Sequence, residues 1–409
     1  MIRANGFALF RGPEASQRAE KGMARVERFS RARVASTHGG EFREVGMGLG
    51  DGPIALAYSL GGGGADFPVV HGFATGEALD DGEEPRQGEF AFLAKRGERY
   101  IAGRDALGTR PLYVDGDGSI LASDHRFFPP EDPPLLLARG TTVEIEPMAT
   151  RISRTVAPGR AGGLEKSASR LAELLDESVE RRVKGHKRIA VSFSGGLDSS
   201  LIAMLAARHA DVTLCSAYVS ASRDEHGTAR AAELLGLNLV DVKLERSQVI
   251  EELRSLDLPF RATPMDRSLW CLYSATARIA SSGGSEVMLL GQLADELFGG
   301  YMKYATAARK DEGLAVKMME ADVEDSARRA FVRDEEACAR FIEPRFPFAD
   351  DEVVSFALGL PLSYKISGQQ RKLILRIAAE NLGLPDELAQ APKKAAQYSS
   401  GIAKLVPSA

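Results

Sequence analysis

"RIAVSFSGGLDSSLIAMLAARHA", residues 188–210, passes from a β-branched run through two adjacent glycines into a helical pattern. That order reads as a buried strand, a tight turn and a helix, the unit from which parallel sheets are wound. Ligands of such sheets bind outside the carboxyl ends of the strands, so the turn with Ser194, Gly195, Gly196, Leu197, Asp198, Ser199 and Ser200 stands where a ligand is expected. Paired glycines let the backbone approach a bound group with no Cβ in the way, and a helix start aims N–H groups at an anion. The serines add hydroxyl donors. Neither GxxxxGK[ST] nor GxGxxG is present, which argues against a Walker ATPase and a dinucleotide fold. Asp198 would repel a bare phosphate but suits one whose oxygens are bridged by a cation. The plain alternative is a helix cap with a tight turn.

Outward from this turn, "VTLCSAYVS", "NLVDVKL" and "EVMLLG" read as further strands. They alternate with helices through "TARAAELLGL", from about residue 247, and through "SLWCLYSATARIASSG". The alternation implies right-handed βαβ units and a doubly wound parallel sheet. After about residue 300 the pattern reads as helical to the end. A second acidic turn, "GQLADELFGGYMKY" (291–304), follows the last of these strands. In a doubly wound sheet two such turns face one another, which would put Asp198 and Asp295 on either side of a magnesium triphosphate, with Gly291 at the base of the second turn. A solvated acidic loop is the alternative.

Residues 1–150 are different: "PIALAYSL", "EFAFLAK", "RYIAGRD", "PLYVDGDGSILAS" and "TTVEIEP" are short alternating runs joined by turns, a sheet-rich pattern. Residues 151–166 are polar and carry Gly and Pro, which suits a linker to a second domain over 167–409. A chain of 409 residues, 44% hydrophobic and 27% charged, is ordinary for two globular domains. A net charge of −5 argues against a nucleic-acid backbone or an anionic membrane as main partner. No signal-peptide pattern and no apolar run near 18 residues is present, so a cytoplasmic enzyme is expected. Cys215, Cys271 and Cys338 form no CxxC pair and the six histidines no metal motif, so neither disulfides nor a tightly held transition metal is expected. "DDGEEPRQ" reads as a solvated loop.

"SFSGGLDSS" resembles the PP-loop of the ATP pyrophosphatases. Together with "GQLADELFGGY", "EPRFPFADDEVVSFALGLP" and "KLILR" it makes the chain similar to the asparagine synthetase family, which includes the β-lactam synthetases. "GRDALGTRPLYV" and "LASDHRF" are similar to that family's glutaminase-domain motif. The resemblance implies an α/β protein: an N-terminal Ntn-hydrolase-like domain, then a doubly wound PP-loop synthetase domain with a helical C-terminal part. It implies ATP and Mg2+, and an amide-forming ligase that activates a carboxylate, aspartate or a related acid, as an acyl-adenylate. By position, Ser194, Gly195, Gly196, Asp198 and Ser199 would hold pyrophosphate, and Asp198 with Asp295 would bind Mg2+. Lys372 in "RKLILR" matches the lysine that steadies transition-state charge. Arg345 in "EPRFPF" matches a family arginine, and a structural ion pair suits it equally.

The departures narrow this. Glutamine-hydrolysing members expose an N-terminal cysteine, whereas position 2 is Ile2 and no cysteine precedes Cys215. "HGFATGEA" also lacks the family's Asn-Gly-Glu run. Nitrogen is therefore expected from ammonia or a substrate amine, with a separate ammonia-supplying glutaminase and a homodimer as open partners. Gln292 stands where asparagine synthetases have glutamate and β-lactam synthetases tyrosine, and an amide cannot take a proton from an incoming ammonium. Residues 301–333 are compressed against the family pattern, Glu335 replaces a common arginine, and "PKKAAQYSSGIAK", with Lys393, Lys394 and Lys404, reads as a basic tail. Two other readings stay open: a PP-loop enzyme adenylating a nucleic-acid base, and a silent nucleotide-binding protein.

Overall fold

In the computed structural model the chain divides into two compact units, Met1–Thr155 and Val156–Ala409. The structure describes residues 2–4, 6–10, 18–19, 21–22, 43–47, 52–58, 67–75, 85, 87–96, 99–116, 118–145, 148–152, 155–219, 224–391 and 400–407. The end of "HGFATGEA", most of "DDGEEPRQ", and Lys393 and Lys394 lie outside the described residues.

The first unit holds two six-stranded sheets. One runs Ile2–Ala4, Phe67–Thr75, Gln87–Arg96, Arg99–Arg104, Thr141–Ile145 and Met148–Ile152 in spatial order. The other carries Gly6–Phe10 between Ile120–Ala122 and Gly52–Tyr58. The "GRDALGTRP" stretch folds around two buried charges. Asp105 accepts hydrogen bonds from the Phe90, Leu107 and Thr109 amides and the Thr109 hydroxyl. Arg104 donates to the carbonyls of Gly108 (2.6 Å) and Arg110 (2.7 Å). Gly108 sits at φ +65°, and a Cβ there would come 2.9 Å from Arg139 Cβ, so this turn needs glycine. In "LASDHRF", Ser123 is stitched to Phe7 and Asp124 caps a short helix and pairs with Arg126 at 2.7 Å.

The second unit is an α/β layer structure. It runs α1 (Leu164–Val183), β1 (Arg188–Ser192), α2 (Leu197–Ala206), β2 (Asp211–Tyr218), α3 (Asp224–Leu235), β3 (Asn238–Lys243), α4 (Arg246–Arg254), α5 (Pro264–Ser282) and β4 (Val287–Leu289). Then come α6 (Ala294–Phe298), α7 (Met302–Ala308), α8 (Glu312–Ser326), α9 (Ala330–Cys338), β5 (Glu343–Arg345), α10 (Asp351–Leu358) and α11 (Leu362–Lys365). The hairpin β6 (Ile366–Ser367) and β7 (Gln370–Arg371) leads into α12 (Leu373–Asn381) and α13 (Asp386–Ala389). Helix α1 begins inside the stretch expected to be linker, and β5 and the hairpin interrupt the region expected to be helical throughout. The strands have a physical reason for escaping notice, since strands of two or three residues show no alternation to read.

The five main strands are all parallel, in the order β3-β2-β1-β4-β5. Ile189, Ala190 and Val191 of β1, and Val287, Met288 and Leu289 of β4, are fully buried, as expected of central strands covered on both faces. Helices α2 and α3 pack on one another and on β1–β3, and α5 also packs on β1–β3; right-handed parallel connections put α5 on the opposite face. Thr263 caps α5 in a reciprocal box with Asp266, and Pro264 opens its first turn. The chain path reverses between β1 and β4, so the loops leaving these two strands border one crevice. Among the described residues no helix is long and apolar enough to cross a membrane.

Candidate active site

The two loops at this crevice are the two turns singled out in the sequence. After β1 the chain turns through Ser194, Gly195 and Gly196 into α2. Gly195 has φ +67°, and its position would set a Cβ 3.2 Å from Ala231 Cβ of α3, so the loop closes against the neighbouring helix only as glycine. Gly196 caps α2 with no side-chain acceptor, leaving the first N–H groups of the helix pointing out of its end. The Ser194 and Ser199 hydroxyls lie 3.2 Å apart, and the buried Ser200 hydroxyl has no hydrogen-bond partner in the structure. Leu197 is buried in the core and offers the crevice its backbone alone.

After β4 the chain turns through Gly291, Gln292 and Leu293 into α6. A Cβ on Gly291 would sit 3.4 Å from Asp198 Cβ, so the two turns are in contact. Leu293 is buried at φ +78°, a left-handed conformation that costs a branched residue on the order of 1 kcal/mol or more. Lys372, at φ +59°, is the other non-glycine residue with positive φ among those described, and it too borders the site. Strain concentrated at these two positions fits a loop geometry imposed by function.

Lys372 caps α12 from the end of the hairpin and is 1% exposed. Its Nζ lies 2.7 and 2.6 Å from the two carboxylate oxygens of Asp198 and 2.6 Å from Asp295 Oδ1. Three chain segments thus meet at one ammonium. Gly300 closes the acidic turn by donating its N–H to the Asp295 carbonyl at 2.8 Å. A Cβ there would fall 1.8 Å from Asp295 Oδ1 and 2.4 Å from Lys372 Cε. Next to Asp295, Glu296 is buried and accepts a hydrogen bond from the Tyr301 hydroxyl at 2.8 Å. Burial, reinforced by the Asp295 carboxylate, pushes Glu296 up to about 7. Burial also raises the Tyr301 phenol, with Glu296 adding to the effect.

Of the expected site residues, the structure brings together Ser194, Gly195, Gly196, Asp198, Ser199, Ser200, Gly291, Asp295 and Lys372. Gln292 lies in the same turn, half-buried. Arg345 is used elsewhere. Its guanidinium donates to Glu343 at 3.0 and 3.3 Å and to the carbonyl of Arg182 at the end of α1, which is the ion-pair alternative weighed above. Sequence reading missed Arg371, whose guanidinium donates to the Gly300 carbonyl at 2.6 Å, and Arg376, which grips the Arg371 carbonyl. The signal for Arg376 was present: in "KLILR" it falls four residues after Lys372, one helical turn on.

The sequence has relatives. A Methanocaldococcus jannaschii protein provisionally named glutamine-hydrolysing asparagine synthetase 1 is 31% identical over 284 residues, 59% of this chain and 51% of that protein. The glutamine-hydrolysing asparagine synthetase of Sandersonia aurantiaca is 24% identical over 365 residues, covering 76% of this chain and 64% of its own length. The chain therefore spans about half to two thirds of these two relatives. Among solved structures, NMN synthetase from Francisella tularensis is a distant likeness, with a TM-score of 0.32 and 12% identity over 59% of this chain and 79% of that one. The asparagine synthase family model matches residues 170–338 and 316–405, more than half of the chain and all three segments that meet at Lys372, so the chain belongs to the asparagine synthase family.

Proposed function

We propose that the protein is an ATP-dependent, amide-forming ligase that activates a small carboxylic acid, aspartate or a related acid, as its acyl-adenylate. The observation that carries this reading is the convergence of Asp198, Asp295 and Lys372 at the carboxyl edge of the sheet, beside a glycine turn that opens a helix.

The residues fit a triphosphate. The N–H groups at the start of α2, the Ser194 and Ser199 hydroxyls and the Ser200 hydroxyl suit the oxygens of the leaving pyrophosphate. Asp198 and Asp295 also fit Mg2+: their carboxylates already share one cationic centre, and carboxylate oxygens are the donors a hard ion takes. When bound, the ion would neutralise charge on the phosphate oxygens. Lys372 then faces the α-phosphate, where charge builds as a substrate carboxylate oxygen attacks phosphorus and the bond to pyrophosphate breaks. In the second step an amine attacks the acyl carbon, AMP leaves with the bonding electrons, and the nitrogen passes its proton to the phosphate of the departing AMP. Gln292 orients that amine by hydrogen bonding and takes no proton from it.

The nitrogen comes from ammonia or a substrate amine. Residues 1–155 contain no cysteine, which supports reading the first unit as an amidotransferase-like domain without glutaminase activity. The test is release of pyrophosphate and AMP from Mg-ATP and aspartate with ammonium, with glutamine, or with no donor, product mass being read in the same tubes. Asparagine formed with ammonium and not with glutamine is the expected result. No turnover with aspartate or any of a panel of small carboxylates would sink the reading.

A further inference from the structure

Resting on the reading of Lys372 as the charge opposite the α-phosphate, we propose that Arg376 is the positioning residue that fixes that lysine, by bracing its loop against the chain segment around α13.

Arg376 lies one turn into α12, its N–H bonded to the Lys372 carbonyl at 3.0 Å. The side chain is buried and folds back: Nε donates to the Arg371 carbonyl at 2.9 Å. It thus holds the peptide immediately before the left-handed Lys372, where the backbone would otherwise relax toward φ < 0 and swing the ammonium away. The other arm of the guanidinium donates to the carbonyls of Ala389, at 2.7 Å, and Ala391, at 3.0 Å. These carbonyls lie at the end of α13 and just beyond it, where helical partners run out. Arg371 extends the brace toward the acidic turn, since its guanidinium holds the Gly300 carbonyl and Gly300 closes on Asp295. One continuous set of hydrogen bonds therefore links the Asp295 turn, the Lys372 loop and the segment around α13. Only a planar fork reaches acceptors on two sides, so a lysine at 376 would serve one side and lose the other.

The test uses the full chain. Arg376→Ala and Arg376→Lys are each expected to lower kcat for pyrophosphate release about 10- to 100-fold, with KM for ATP changed less than about two-fold. Added guanidinium ion should restore part of the Arg376→Ala loss and none of a Lys372→Ala loss. In the Lys372→Ala background, Arg376→Ala should cost nothing more, because the group it positions is gone. A second readout needs no turnover: acetyl-AMP acetylates a lysine facing the α-phosphate, the amine attacking the acetyl carbon as AMP departs. Wild type should be acetylated at Lys372 and the Arg376 variants at least about ten-fold more slowly. An equal further loss of kcat in the Lys372→Ala background, or equal acetylation of wild type and variants, overturns the brace. No acetylation of wild type together with no pyrophosphate release overturns the reading of the site itself, and the brace with it.

Discussion

Lys372 Nζ lies 2.6 Å from Asp198 Oδ2 although 174 positions separate the two residues, and the same ammonium reaches Asp295 at 2.6 Å. Two carboxylates this close to each other are tolerable because a cation sits between them. Lys372→Ala removes the ammonium that the two carboxylates share. We expect pyrophosphate release to fall more than about 100-fold and folding stability to drop by about 2–4 kcal/mol. Addition of Mg2+ should then raise the melting temperature of the variant more than that of wild type. An equal Mg2+ effect on both would show that Lys372 and the ion do not share the two carboxylates.

Gly300→Ala tests the closure of the acidic turn. Its methyl group would overlap Asp295 Oδ1 at 1.8 Å, so the turn must open. The cost in stability is expected to be about 1–3 kcal/mol, with pyrophosphate release lost by about 100-fold or more. Activity within two- or three-fold of wild type, by order of magnitude, would mean that Asp295 is not held where the structure puts it.

Gln292→Glu supplies a proton acceptor in the same turn. Ammonium-dependent amide formation is expected to rise several-fold, about 0.5–1 kcal/mol in barrier, while adenylate formation stays level. Parallel changes in both half-reactions would remove Gln292 from the second step.

Lys365 gives a pH signature. It is 7% exposed, and burial pulls it down to about 8 from an ordinary 10.5, against a smaller opposing pull from Glu320. Between those values the unfolded chain binds the proton and the folded one does not, so stability rises with pH through that window. Below it the lysine is charged in both states and carries its burial penalty. Lys365→Met is therefore expected to be more stable than wild type by up to about 3 kcal/mol at pH 7, with the gap closing toward pH 10. The single tryptophan, Trp270, is buried in the second unit, so its emission during urea unfolding reads this without interference from the first. A gap independent of pH would show that Lys365 keeps its proton at no cost.

The parallel sheet was legible because β1, β2 and β4 carry apolar runs long enough to read, each followed by a turn and a helical period. The facing of the Asp198 and Asp295 turns followed from that order alone. Strand β5 was not legible: it has three residues, Pro344 in the middle, and lies at the sheet edge, the position that tolerates a missing N–H. Position 345 could be matched to a family pattern, but the direction of its guanidinium is set by Glu343 and by the end of α1, which no local spacing encodes. The spacing of Arg376 from Lys372 was visible, but what the Arg371 and Arg376 guanidinium groups hold was not. Their partners are main-chain carbonyls, and carbonyls leave no mark in a string of side chains.

The sheet order has one more consequence. Asp198 and Asp295 are made long before Lys372 in the order of synthesis, so a growing chain carries two facing acids with no counter-charge until the last quarter of the second unit has emerged and docked. Contacts this distant in sequence are also the slowest to form. On the proposed function, ATP cleavage would become possible only after the segment carrying Lys372 has docked, and a half-folded copy would not consume nucleotide.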